Sequence, residues 1–406
     1  MLTSPSPSLS RVPRRRLLWP ALLGAAALSL AATTPALAAT PLTTLYVSVH
    51  GTAAGPGTVR APYQTIAEAV AAAPPGATIR VLPGTYTVTQ SIVLTESVTI
   101  TAARGAGHSV ITGTGPIFVL GDSSAGVTGV TIRGLAFDNI TNASANGVIT
   151  AGGYGAGDVA ILGNTFRDTA TEAIGYHGNA GLTAPLGTHW RIADNRIVNV
   201  TGSVQSGIWV GNLQDSRIVG NTITGTQWAG MIVTASGPDG VPPGDVAHIL
   251  IAGNRVSQVP HEGIQVAWGH DVKVVYNWVT QAGLDGYTDP TESMDAAVSL
   301  FNTNQTNVLV AHNTLYRNYQ GVELGQSSVP SSLGAVGTGI SVHDNNLMDN
   351  PGGDAVNNAT SGTLNATLNW WGSPHGPSPS DVVGSVAVTP YLNHPVGIGQ
   401  AGFGHR

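Results

Sequence analysis

The chain contains no cysteine and a single lysine, Lys273, and only 9% of its 406 residues are charged. Without cysteine there is no disulfide framework, so a protein outside the cell must rely on burial and hydrogen bonding. Long surface helices need Glu, Lys and Arg, and this composition does not supply them. Aromatic residues make up 6%, whereas glycine is abundant at 53 residues, a balance suited to short strands and tight turns. The one long apolar run, residues 17–32, is short for a membrane span and ends in small residues. It follows a basic start (Arg11, Arg14–Arg16) and precedes Ala36-Leu37-Ala38, the order of an export signal with an A-x-A cleavage site. Residues 1–38 are therefore expected to be cleaved from a secreted or periplasmic protein; Arg14-Arg15-Arg16-Leu17-Leu18 leaves twin-arginine export open beside the ordinary route. Cleavage would remove four of the 16 basic residues and none of the 22 acidic ones, leaving a net charge of about −10. Such a surface argues against nucleic acid as a partner.

What is present is a repeat. "ILGNTF" (161–166), "IADNRI" (192–197), "IVGNTI" (218–223), "IAGNRV" (251–256), "VVYNWV" (274–279), "VAHNTL" (310–315) and "VHDNNL" (342–347) share one template. Their asparagines, 164, 195, 221, 254, 277, 313 and 345, are 31, 26, 33, 23, 36 and 32 residues apart. A strict local template at irregular intervals means constant strands joined by variable loops. Between the asparagines lies a second template, a small residue followed by aliphatic-x-aliphatic, as in "SGIWV" (206–210), "EGIQV" (262–266) and "QGVEL" (320–324). Each repeat thus supplies a strand before the Asn, one after it and a third between, all alternating with period two. Three short strands per turn, stacked turn on turn, make an all-β parallel β-helix. The Asn falls at a bend suited to left-handed backbone geometry, and stacked coils would let the amides hydrogen-bond as a ladder.

These motifs resemble the right-handed parallel β-helix proteins of the pectate-lyase-like superfamily, over roughly residues 44–395. The segment 45–86 looks like the opening coil and N-terminal capping helix of secreted members, with the helix expected at 64–73. "NWWGSPHGP" (369–377) is similar to the family's closing motif, in which Trp370 and Trp371 would cover the last coil. The expected organisation is a signal peptide at 1–38, a cap and first coil at 39–86, the β-helix at 87–368, and a C-terminal cap and tail at 369–406. The resemblance implies that the small-residue strands form a first sheet whose outer face is the floor of a glycan cleft.

Alternation along those strands predicts Ile149, Gly175, Trp209, Ile232, Gln265, Ser299 and Glu323 as outward residues. Just before the strands come Asn146, Glu172, Ser206, Ala229, Glu262, Ala296 and Gln320. One face therefore combines aromatic, amide and carboxyl groups, with Trp209, Gln265, Glu172 and His177 as substrate-binding candidates. Asp295 should lie one coil from His261 and Glu262. A carboxylate pair is the equipment of glycoside hydrolysis, and crowding splits the pair into an acid and a base. Glu262 and Asp295 are the leading catalytic candidates, Glu323 the next, and His261 a tuner or proton donor. The long loop 280–295 adds Asp285, Asp289 and Glu292, hard oxygen ligands that could hold Ca²⁺. The favoured function is polysaccharide hydrolysis by a monomer that needs no cofactor. A Ca-dependent uronate lyase and a non-catalytic glycan-binding rod are the alternatives. A lyase needs a strong base, yet Lys273 aligns with Arg191, Arg217 and Leu250 on a different sheet; Arg167 and Arg317 are the remaining bases near the cleft.

Overall fold

In the computed structural model the described residues are 43–397, except 54, 106, 123, 145, 152–154, 178–186, 236–245 and 285–294. All belong to the unit Leu42–Arg406. Strand pairing between coils is parallel throughout, in three sheets of 11, 18 and 10 strands. One coil runs Ile264–Ala267 in the first sheet, Gly269–Val275 in the second and Trp278–Thr280 in the third. The next coil repeats the path in register, with Ile264 opposite Val298, Val274 opposite Val310 and Val279 opposite Leu315.

Alternation fixes which side chains enter the core. Ile161, Ile192, Ile218, Ile251, Val274, Val310 and Val342 form one continuous buried column inside the second sheet. The small residue of the second template has a steric cause: a Cβ on Gly263 would sit 2.4 Å from Val279 Cγ1 of the third sheet. The second-sheet run is two strands rather than one over much of the length. It breaks at Gly129, Asp158, His189, Asp215 and His248, all with positive φ, so five consecutive coils carry a fourth short strand.

The asparagine ladder is continuous from Asn164 to Asn369. Each Asn directs its backbone N and its Nδ2 to the Oδ1 of the next Asn, at 2.8–3.1 Å. Nδ2 also donates to a carbonyl of the preceding coil, as Asn277 does to Ile251 O at 3.0 Å. Burial thus leaves these amides satisfied. The left-handed residue, however, is the one before each Asn: Gly163, Asp194, Gly220, Gly253, Tyr276, His312, Asp344 and Leu368. The Asn itself must present its Oδ1 to the neighbouring coil, and the preceding residue makes the turn.

Helix α1 (Ile66–Ala72) starts with a capping box, Thr65 Oγ1 accepting from Glu68 N at 3.2 Å and Glu68 Oε2 from Thr65 N at 2.9 Å. It buries Ile66 and Ala69 against the core. At the other end Trp371 joins the core, whereas Trp370 stays partly exposed and serves through its backbone, donating to Asn345 O and accepting from Leu347 N. No described helix is long and apolar enough to cross a membrane.

Candidate active site

The outward column of the first sheet runs Val119, Thr150, Gly175, Trp209, Ile232, Gln265, Ser299, Glu323 and Val356. This corrects the position expected for Ile149, which pairs with Ile174 in the core and leaves Thr150 facing out. In "NGVIT" both Val148 and Ile149 are apolar and buried, so alternation could not tell which one takes the inward slot.

Glu262 ends the loop before Ile264–Ala267, Asp295 immediately precedes Ala296–Leu300, and Glu323 sits within Gln320–Leu324. Three consecutive coils therefore bring three carboxyl groups to one patch, and all three residues are 0% exposed. Glu262 Oε1 accepts from Gln265 Nε2 at 2.7 Å and Gln326 Nε2 at 2.8 Å, while its Oε2 is buried without a partner. Burial pushes the Glu262 carboxyl up to about 7, with a smaller push from Asp295, against its hydrogen bonds and His261. Glu323 Oε1 accepts from Asn358 Nδ2 at 2.9 Å, and its Oε2 is likewise buried and unpartnered. Burial, then Glu262 and Asp295, hold the Glu323 carboxyl well above the usual carboxylate range. The two glutamates thus favour the neutral, proton-bearing form, and each leaves one oxygen uncommitted.

His261 Nδ1 lies 3.7 Å from Asp295 Oδ1, and its ring packs against Trp228 at 3.9 Å between centroids. Tyr319 stands beside Asp295, its hydroxyl pKa raised by burial and by that carboxyl. Two to three coils toward the N-terminus, His177 Nε2 lies 3.3 Å from Glu172 Oε1, and the His177 ring stacks on Trp209 at 4.6 Å. Glu172 Oε2 accepts from Thr171 Oγ1 at 2.9 Å. Buried polar atoms without partners line this stretch as well, Ser206 Oγ and Trp209 Nε1, and Ser299 Oγ is another between Gln265 and Glu323.

The structure brings Glu262, Asp295, Glu323, His261 and Gln265 together, and sets Glu172, His177 and Trp209 apart as a second group on the same face. The sequence reading missed Gln326, Asn358, Trp228 and the pair of exposed Trp268 and partly buried Phe301, whose ring centroids are 5.3 Å apart. Gln326 and Asn358 lie outside both templates; Trp268, directly after the strand Ile264–Ala267, is visible in the sequence as an aromatic at a strand end. Asp285, Asp289 and Glu292 lie outside the described residues, and no group of three or more His, Asp or Glu side chains among the described residues is arranged to hold a metal ion. Lys273 is exposed on the second sheet, in register with Leu250 and Leu309. Arg167 pairs with Asp138 on the third sheet, and the Arg317 guanidinium lies 4.9 Å from the Tyr316 ring centroid.

Residues 83–288, just over half of the chain, match the family model described as right handed beta helix region. The chain belongs to the right-handed β-helix family. No curated protein matches it in sequence. Among solved structures it is similar to the A-module of the Azotobacter vinelandii mannuronan C-5 epimerase AlgE4, with TM-score 0.52 and 12% identity over 81% of this chain and 92% of that one. It is also similar to the GH136 lacto-N-biosidase from Eubacterium ramulus, with TM-score 0.51 and 15% identity over 87% and 68% of the two chains. The catalytic unit of the GH87 alpha-1,3-glucanase from Streptomyces thermodiastaticus gives 0.50 and 14%, over 82% and 62%. At these identities the likeness shows the shared fold.

Proposed function

We propose that this right-handed β-helix is an exported enzyme that hydrolyses a glycan lying along the outer face of the first sheet. The observation that carries the proposal is the buried carboxyl cluster, with Glu262 held near 7 and its Oε2 uncommitted. A carboxyl that keeps its proton at neutral pH can give it to a glycosidic oxygen. Glu262 Oε2–H protonates the leaving oxygen as the anomeric C–O bond breaks. Asp295 is the second carboxyl, either taking the proton of the attacking water or bonding to the anomeric carbon before water releases it. Glu323, held neutral, donates to a sugar hydroxyl. Trp209 and His177 offer ring surface and Glu172 an acceptor for the neighbouring sugars. Access to the buried oxygens requires the groups that cover them to move aside. The solved neighbours named above are an epimerase, a biosidase and a glucanase, and glycan chemistry is what those names have in common. The described outward column holds no Lys or Arg, which favours an uncharged glycan over a polyuronate.

The test is a mixed glycan panel with and without Ca²⁺, following reducing ends and ultraviolet absorbance together. Hydrolysis gives new reducing ends without absorbance. Glu262→Gln and Asp295→Asn should each lower kcat by about a hundredfold or more, and Lys273→Ala should leave it unchanged. Absorbance that rises only with Ca²⁺ would mean elimination, and silence across the panel would mean a binding rod.

A further inference from the structure

Gln326 is not part of either repeat, yet it reaches two coils back to the acid. The chain turns at Gly325 (φ 78), where a Cβ would meet Thr303 Cγ2 at 2.6 Å, and this turn aims residue 326 over the sheet. Its backbone is pinned on several sides. The N–H is shared between Phe301 O at 3.2 Å and Ser332 Oγ at 3.1 Å. The carbonyl accepts from Val329 N at 3.0 Å and Ser332 Oγ at 3.2 Å, closing a loop around the 3₁₀ turn Pro330–Ser332. The side chain is fully buried, and its Nε2 meets the same Glu262 oxygen that Gln265 Nε2 already holds.

We propose that Gln326, with Gln265, is a positioning residue that dedicates Glu262 Oε1 to accepting and so assigns the transferable proton to Oε2. An oxygen that receives two N–H donors cannot also carry the acidic hydrogen without losing one of them. The free oxygen therefore holds the proton at one site and in one direction. This rests on the reading of Glu262 as the acid, but its first test needs no substrate.

The experiment follows the carboxyl C=O infrared band of Glu262 against pH, assigned by its loss in Glu262→Gln, in the wild type and in Gln326→Met. Methionine keeps the volume and removes the donor. Amide donors favour the charged carboxylate, so the midpoint should rise in Gln326→Met by about one unit, a tenfold change in the protonation equilibrium. Gln265→Met should do the same from the sheet side, and serves if the loop variant fails to fold. With a glycan in hand, the alkaline limb of kcat/KM should move up with the midpoint while KM stays within about twofold. A merely structural glutamine would lower the melting temperature and leave the titration where it was. An unmoved midpoint in a folded variant overturns the proposal even if the wild type cleaves glycans. A moved midpoint in a protein that cleaves none sustains the proton placement and discards the hydrolase reading.

Discussion

Asn277 lies among buried aliphatic side chains, and its place there follows from satisfaction of the amide. It donates to Ile251 O and Asn313 Oδ1 and accepts from Asn254 through both backbone N and Nδ2. Asn277→Ala would leave buried groups on both neighbouring coils without partners, and each such group costs about 1–3 kcal/mol. The expected loss is about 3 kcal/mol or more, read from urea unfolding. The ladder was legible in the sequence because its geometry repeats the same residue type. The left-handed position just before it was not, because the chain places Gly, Asp, Tyr, His and Leu there in turn. Leu368, with φ 56 and 41% exposed, bears the steric cost of that conformation with only partial burial to offset it. Leu368→Asn should therefore stabilise the protein by up to about 1 kcal/mol, since Asn tolerates left-handed geometry better. An unchanged or lowered unfolding midpoint would contradict that account.

At the scale of the element, strands and caps could be read because each is a local pattern: period-two alternation, or Thr65 and Glu68 three residues apart. Thr65→Ala should cost about 1 kcal/mol, measurable as a fall in the melting temperature, because it opens the box that starts the helix covering the core. The site was legible only as far as it rides on those strands. Glu262, Asp295 and Glu323 could be placed on one face by counting register alone. Gln326 and Asn358 complete the site from outside the register, one in a loop and one just past a strand, and no spacing announces where a loop folds back. The "NGVIT" strand shows a related limit: with two apolar residues side by side, only the partner strand decides which one faces in.

For the molecule as a whole, the cluster that equips the site also shapes stability against pH. Glu262 titrates near 4.5 in the unfolded chain and at about 7 when folded. Between those values the native state keeps a proton that the unfolded chain has released, so stability falls as pH rises through that window. Below about 4.5 the penalty is absent and above about 7 it is complete, roughly 3 kcal/mol for one fully buried group. Asp354, where Asn350 donates to Oδ1, is raised to about 7 chiefly by burial and acts in the same direction. Glu262→Gln and Asp354→Asn each remove one titrating group while keeping an amide oxygen in its place. Urea unfolding at pH 5 and pH 8 should show the wild type losing stability toward the alkaline side, and either variant losing less. Under the proposed function only Glu262→Gln should also abolish glycan cleavage, because Asp354 lies beyond the last carboxyl of the cluster. Equal pH dependence in all three proteins would mean that the buried acids ionise freely, and the proton the proposed hydrolysis needs would then be absent at neutral pH.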